Sequence, residues 1–530
     1  GDPETVADGR TNLATTLIQM GDIDAAEAAN QLALSMPEDR VSHEIRLRMQ
    51  LNSGRIETAR GYLEKAEAVC RHVAASGIRQ PKLLIDAELL LAQVLEREGR
   101  PRDAETELQR ALTYLDDSRA ELLRDESKLT YVDSLIQTFR EYVNLLFRQN
   151  RPSDALEIAE SSRARLLVER SSVEKTAPTA AAFQELARKT GAVFLFYWIA
   201  PGQSRLWAVT GAGIKPFVLP ADTEIRSQVE AHRRFIENFG DPLSAANPGR
   251  ELFATLVGPA QDLIPAGSQV VIIPDGPLFD INFESLPVPG SRPHYWLRDV
   301  TVSVAPSLTL LLRPSPRPEN AGHPPTPRLL LIGDALNSGQ PEFPRLANAR
   351  REMERIRMDF PPGASVLRTG SDATPQSYAA AGPANFSIIH FAAHATANLA
   401  SPLDSAVILS PSQGNYKLYA REIRNHRINA DLVTISACRS AGARTYDGEG
   451  LVGFVWAFLG AGAHNVVAGL WEADDRSTAQ LMDIMYQELQ HGATPAAALH
   501  KAKLALADST NSFRKPYYWA PFELFTVSLN

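Results

Sequence analysis

Leu432-Val433-Thr434-Ile435-Ser436-Ala437-Cys438 is a short run of β-branched and apolar residues that stops at a cysteine. Leu432–Ile435 has the length and composition of a strand buried on both faces, as in a parallel sheet. Three further runs end in the same way. Phe386–Ala392 leads to His394, Leu329–Ile332 leads to Gly333-Asp334, and Val466–Leu470 leads to Trp471 and the acids Glu472, Asp474 and Asp475. Helical stretches alternate with them: Leu346–Phe360 is amphipathic, Leu451–Leu459 is apolar, and Ser477–Gln490 and Pro495–Ala507 follow. Such alternation predicts an α/β layer structure. In open parallel sheets, sites form past the carboxyl ends of the strands. Asp334, His394, Cys438 and Asp474 are therefore expected along one edge. A histidine near a thiol lowers its pKa, and the thiolate is the nucleophile.

His390 competes with His394 for the role of base. It lies inside its strand, between Ile389 and Phe391, and reads as a buried structural histidine. His394 lies past the strand end, where chemistry is accessible. Asp431 precedes its strand and falls on the wrong edge. Asp474 and Asp475 fit two roles, capping the helix that follows or lining an acidic pocket that favours a Lys or Arg side chain. Asp447 and Glu449, on the loop after Cys438, carry the same ambiguity. His43-Glu44 lacks the second histidine of a zinc-protease motif, and the chain has neither a Gly-x-Ser-x-Gly elbow nor a phosphate-binding loop.

Moving outward, Val193–Trp198 and Leu206–Thr210 read as a hairpin, and Val270–Ile273 as a strand ending at Pro274-Asp275-Gly276. Helices are expected near Ile225–Phe239 and Glu251–Val257. No nucleophile and base pair up in that stretch. Residues 313–328 hold six prolines and read as an exposed linker that suits a processing site.

Residues 1–175 are rich in Ala, Leu, Glu and Arg, which is helix composition. A pattern recurs there: Gly21 with Ala26 and Ala33, Gly54 with Ala59 and Ala66, Gly99 with Ala104 and Ala111, and Asn150 with Ala155 and Ser162. Gly or Asn suits the left-handed residue that ends a helix, and the small residues suit close packing of the next one. This resembles the tetratricopeptide repeat, with a first interval of 33 residues and later ones of 45 and 51. Arrays of this kind bind partners. Cys70 falls in this region and reads as a core thiol.

The chain has 530 residues and a formal net charge of −8, which disfavours direct nucleic-acid binding. Cys70 and Cys438 are its two cysteines, too few for a disulfide framework or a cysteine-rich metal site, so a reducing, cytoplasmic setting is expected, with no metal and no cofactor. No run reaches the length of a membrane span, and no signal segment opens the chain. Gly1 is an unusual first residue, and the native chain is expected to begin earlier.

The C-terminal motifs resemble a known family. Ser436-Ala437-Cys438-Arg439-Ser440 is similar to the caspase motif Gln-Ala-Cys-Arg-Gly, with His394 lying 44 residues upstream of Cys438. His390-Phe391-Ala392-Ala393-His394, Gly448-Glu449-Gly450-Leu451, Ala461-Gly462-Ala463, Gly469-Leu470-Trp471 and Trp519-Ala520-Pro521-Phe522 resemble, in order, the CHAT domain, a caspase-like peptidase domain often fused to tetratricopeptide repeats. The resemblance implies a helical repeat solenoid over 1–175, then an α/β caspase-like (caspase–hemoglobinase) domain. Its pseudo-half would cover 185–312 and its active half 329–530, joined by the linker 313–328. It implies a cysteine endopeptidase with His394 as base and Cys438 as nucleophile. The N–H groups of Ala395 and Cys438 would form the oxyanion hole. Ala395 stands where the family usually has glycine, and Ser436 where related proteins carry a specificity residue. Asp474, Asp475, Asp334 and Ser436 are expected at the substrate pocket. A protein substrate, a regulatory partner on the repeats and a link to bacterial defence follow from the family. The rival reading is a scaffold without catalysis.

Overall fold

The computed structural model describes residues 2–170, 178–244, 247–312, 327–336, 342–437, 441–442, 444–446 and 449–529. Cys438, Asp447, residues 171–175 and all but the last two residues of the proline-rich linker lie outside them. The chain divides into two compact units, Gly1–Ala159 and Glu160–Asn530.

Among the described residues the N-terminal helices form four hairpins: α1 (Pro3–Met20) with α2 (Ile23–Leu34), α3 (His43–Arg60) with α4 (Leu63–Ala74), α5 (Pro81–Arg97) with α6 (Pro101–Ala120), and α7 (Asp125–Arg148) with α8 (Pro152–Ser161). Each hairpin turns on a left-handed residue: Gly21, Gly61, Gly99 and Asn150, with φ of 81°, 84°, 76° and 59°. Three of these turns follow the expected pattern. The second does not, because Gly54 lies inside α3 and the helix ends at Gly61. Gly54 serves close packing: a Cβ there would stand 3.3 Å from both Leu90 and Val69 side chains. The second repeat therefore runs Gly61, Ala66, Val73, and Ala59 belongs to the preceding helix. Ala26, Ala33, Ala66, Ala104, Ala111 and Ala155 are all fully buried, as helix-on-helix contact requires. Cys70 on α4 is buried too, and burial pushes its thiol up to about 12, so it is not a thiolate at neutral pH.

The second unit is built on a mixed sheet. Among the described residues its strands are β1 (Val193–Trp198), β2 (Ser204–Thr210), β3 (Gly213–Leu219), β4 (Ser268–Ile273), β5 (Val300–Val304), β6 (Leu329–Ala335), β7 (Ser365–Gly370), β8 (Ile388–Ala392), β9 (Leu432–Ser436), β10 (Asn465–Gly469) and β11 (Phe522–Thr526). Their order is β3-β2-β1-β4-β5-β11-β10-β9-β8-β6-β7. One half, β6 to β10, is wholly parallel, as the buried runs predicted. In the other half β1, β4 and β5 are parallel. The C-terminal strand β11 is the seam: it runs parallel to β5 and antiparallel to β10. Helices Ala349–Asp359, Asp475–Gln490 and Pro495–Ala507 bury Met353, Ile356, Leu481, Met485 and Leu499 in one apolar core with the sheet. Among the described residues no helix is long and apolar enough to cross a membrane.

Candidate active site

The site begins with the register of three strands. Ala392 at the end of β8 pairs with Ser436 of β9 on one side and with Gly333 of β6 on the other. Gly333 has no room for a side chain, since a Cβ would lie 2.2 Å from the Ala392 carbonyl oxygen. That close approach lets β6 and β8 end together at one edge.

His394 starts a second, three-stranded antiparallel sheet, Asn415–Tyr419 on Ala406–Ser412 on His394–Thr396. The chain therefore leaves the main sheet at Ala393, and His394 is only half-buried. Its Nε2 lies 2.6 Å from the Pro344 carbonyl oxygen. A carbonyl only accepts, so Nε2 carries the proton and, in the neutral ring, Nδ1 keeps its lone pair. Phe343 packs against the ring, with centroids 5.9 Å apart. Ala395 pairs with Val407 in this small sheet and is not among the residues with positive φ. Its backbone is that of a strand, which alanine adopts freely, so replacing the usual glycine carries no conformational cost there.

His390 is a different case. It is fully buried, with Nδ1 3.0 Å from the Tyr486 hydroxyl and Nε2 2.8 Å from Glu352 Oε1. Tyr486 in turn donates to Thr434 Oγ1 at 3.0 Å. This chain of bonds ties β8, β9 and two helices together beneath the site.

The four expected pocket residues have separate duties. Asp334 is buried and takes a left-handed φ of 48°. Its carboxylate accepts two bonds from Arg345, at 2.8 and 2.9 Å, so it anchors an arginine rather than offering a free acid. Asp474 caps the helix that follows, accepting from the Arg476 and Ser477 N–H groups at 3.2 and 2.9 Å. Asp475 and Ser436 both line the cleft beside His394. One oxygen of Asp475 accepts from the Asn348 N–H (3.1 Å) and side-chain amide (2.6 Å). Cys438 lies outside the described residues. The sequence reading missed Glu352, a residue that lines the same cleft, and the Pro344 carbonyl. A carbonyl leaves no sequence signal, and Glu352 sat unnoticed among the other charges of an amphipathic helix.

The CHAT domain family model matches residues 246–527. This chain belongs to the CHAT domain family. The CHAT domain here is preceded by the helical repeats, and the fold is a helical array followed by an α/β domain built on a mixed sheet. Mouse (Mus musculus) tetratricopeptide repeat protein 28 is 31% identical to the chain over 115 residues, which is 21% of this chain and 5% of that protein. The chain thus spans a small fraction of that relative. Among solved structures, the chain is similar to the Saccharomyces cerevisiae separase–securin complex, at 10% identity with a TM-score of 0.47, covering 99% of this chain and 47% of that one. It is also similar to the Arg-specific cysteine proteinase gingipain R, at 10% identity with a TM-score of 0.33, covering 57% of this chain and 74% of that one. Both likenesses are distant.

Proposed function

We propose that the CHAT domain is a cysteine endopeptidase with Cys438 as nucleophile and His394 as base. One observation carries the reading: Ala392 and Ser436 are paired neighbours on adjacent parallel strands, and His394 and Cys438 each follow two residues later. Adjacent strands lie about 4.8 Å apart, and two residues of chain reach at most about 7 Å. This register supports the pairing of Cys438 with His394.

In this reading Nδ1 of His394 takes the Cys438 proton, while the Nε2–Pro344 bond fixes the tautomer and the ring. The thiolate attacks the scissile carbonyl carbon, and the oxyanion is met by the N–H groups of Ala395 and Cys438. The imidazolium gives its proton to the leaving amine. Water, deprotonated by the same Nδ1, then releases the acid and restores the thiol. Glu352 and Asp475 line the cleft with apolar Leu346, Ala349 and Phe522, and no lysine or arginine lines it among the described residues. This lining supports a basic side chain before the cut. The repeat unit would bind the partner that controls the reaction.

A peptide-library cleavage profile tests this directly. Cleavage after Lys or Arg by the wild type and none by Cys438→Ala is the expected result. Equal turnover by both would sink the assignment. A profile without basic preference would remove the role of Glu352 and Asp475 alone.

A further inference from the structure

The segment that follows the repeat hairpins is bonded into the CHAT domain by buried polar groups that the proposed chemistry leaves unused. Glu160 lies in the last turn of α8, which ends at Ser161. Glu160 accepts from the Ser307 hydroxyl and from the Thr309 N–H at 2.8 Å. Arg163 is buried and donates to Asp275 Oδ1 (2.8 Å) and to the Tyr197 carbonyl (3.0 Å). Its guanidinium also lies over the rings of Phe196 and Trp198. The other oxygen of Asp275 accepts from the Ile199 N–H at 2.7 Å. Ala164, fully buried, takes a left-handed φ of 45°. An L-residue holds that conformation only where its surroundings enforce it. Two residues on, the Leu166 N–H donates to Glu449 Oε1 at 2.9 Å.

Glu449 is 2% exposed and opens the strand Gly450–Val452, which pairs with Arg444–Tyr446 in a two-stranded ribbon. In sequence this ribbon begins six residues after Cys438. Its other support is the turn Gly276–Asp280, which starts right after Asp275. Gly450 lies so near that turn, at φ of 81°, that a Cβ would stand 2.9 Å from Phe279. The segment Glu160–Leu167 therefore holds the ribbon by two routes, through Glu449 directly and through Asp275 and its turn. At the near end of the loop, the Ala441 N–H donates to the Gly469 carbonyl at 2.9 Å.

We propose that Glu449 is a positioning residue for the Cys438 loop, held by the Leu166 N–H. The proposal rests on the reading of Cys438 as nucleophile. A carboxylate is not essential to the bond: glutamine keeps the accepting oxygen and alanine removes it.

The test compares the full-length wild type, Glu449→Gln and Glu449→Ala by two readouts. Hydrogen exchange is followed in the peptide carrying residues 444–452. Alkylation of Cys438 by iodoacetamide is followed against pH, with buried Cys70 as the unreactive internal standard. Glu449→Ala is expected to speed exchange in the ribbon at least tenfold, and to move the alkylation midpoint upward, toward the ~8.5 of a free thiol. Glu449→Gln is expected to stay within twofold of wild type in both. Unchanged exchange and an unchanged midpoint in Glu449→Ala overturn the proposal, as does Glu449→Gln behaving like Glu449→Ala. A wild-type midpoint already near that of a free thiol would overturn the dyad instead, while the exchange contrast still decides whether Glu449 holds the loop. Should Glu449→Ala fail to fold, Arg163→Lys, which loosens the second route, takes its place with the same readouts and the same deciding outcomes.

Discussion

The interior of β8 and the short strand that begins just past its end carry a histidine each, four residues apart, and the two meet opposite physics. His390 is sealed in the core with both ring nitrogens bonded, to Glu352 and to Tyr486. His394 is half-exposed, with one nitrogen held by the Pro344 carbonyl. The first arrangement spends its whole hydrogen-bonding capacity on holding strands and helices together. The second fixes a ring and leaves a lone pair for chemistry. The strand places both, and the position of its end decides which one can act.

Replacing each histidine by alanine should separate the two roles most widely. His394→Ala is expected to lower peptide turnover by about 10²–10⁴-fold, the usual contribution of a positioned base, with unfolding by denaturant unchanged. His390→Ala leaves Glu352 buried without its partner, which costs about 3–5 kcal/mol. Its signature is a lower denaturation midpoint, with the fraction that remains folded still reacting at Cys438. A large stability loss in His394→Ala, or an unaltered midpoint in His390→Ala, would break the contrast.

A subtler change sharpens it. Tyr486→Phe removes the hydroxyl that joins His390 to Thr434, and an unmet buried bond costs about 1–3 kcal/mol. Denaturant melts should show that loss with turnover unaffected. The seam strand offers a charge test of the same interior. Burial raises Glu523 to about 8 from an ordinary value of 4.5. A carboxyl that is harder to ionise when folded favours folding at low pH, and that advantage is lost as pH rises through its folded value. Wild-type stability should therefore fall between about pH 4.5 and pH 8. Glu523→Gln should flatten that fall, as read by melting temperature against pH. The smallest effect is expected in the repeats, where Gly54→Ala must push aside Leu90 and Val69 side chains at 3.3 Å, against the small gain in helix propensity.

Much of the edge was legible because buried parallel strands are short apolar runs and the residue after each run is conspicuous. The expectation that β6, β8, β9 and β10 end along one edge followed from that alone, whereas their order and register did not. Other parts left no pattern. Strand β7 is half-exposed along its whole length, so it shows no contrast of polarity. The hairpin Ala406–Ser412 with Asn415–Tyr419, which supports His394, lies between runs of small and polar residues. Gly54 misled because a glycine needed for close packing and a glycine needed for a turn look the same in sequence. The partners of Asp334 and Asp475, which are Arg345 and Asn348, come from a loop that folds back onto the edge, and a pocket residue cannot be told from an anchor until that loop is placed.

The central claim is the pairing of Cys438 with His394. Its most direct test is labelling by a short peptide that ends in a basic residue and carries a thiol-directed electrophile, located by mass spectrometry. The account predicts one adduct, at Cys438 and not at Cys70, formed at least a hundredfold more slowly in His394→Ala. Equal labelling in that variant, or none in the wild type, would contradict it.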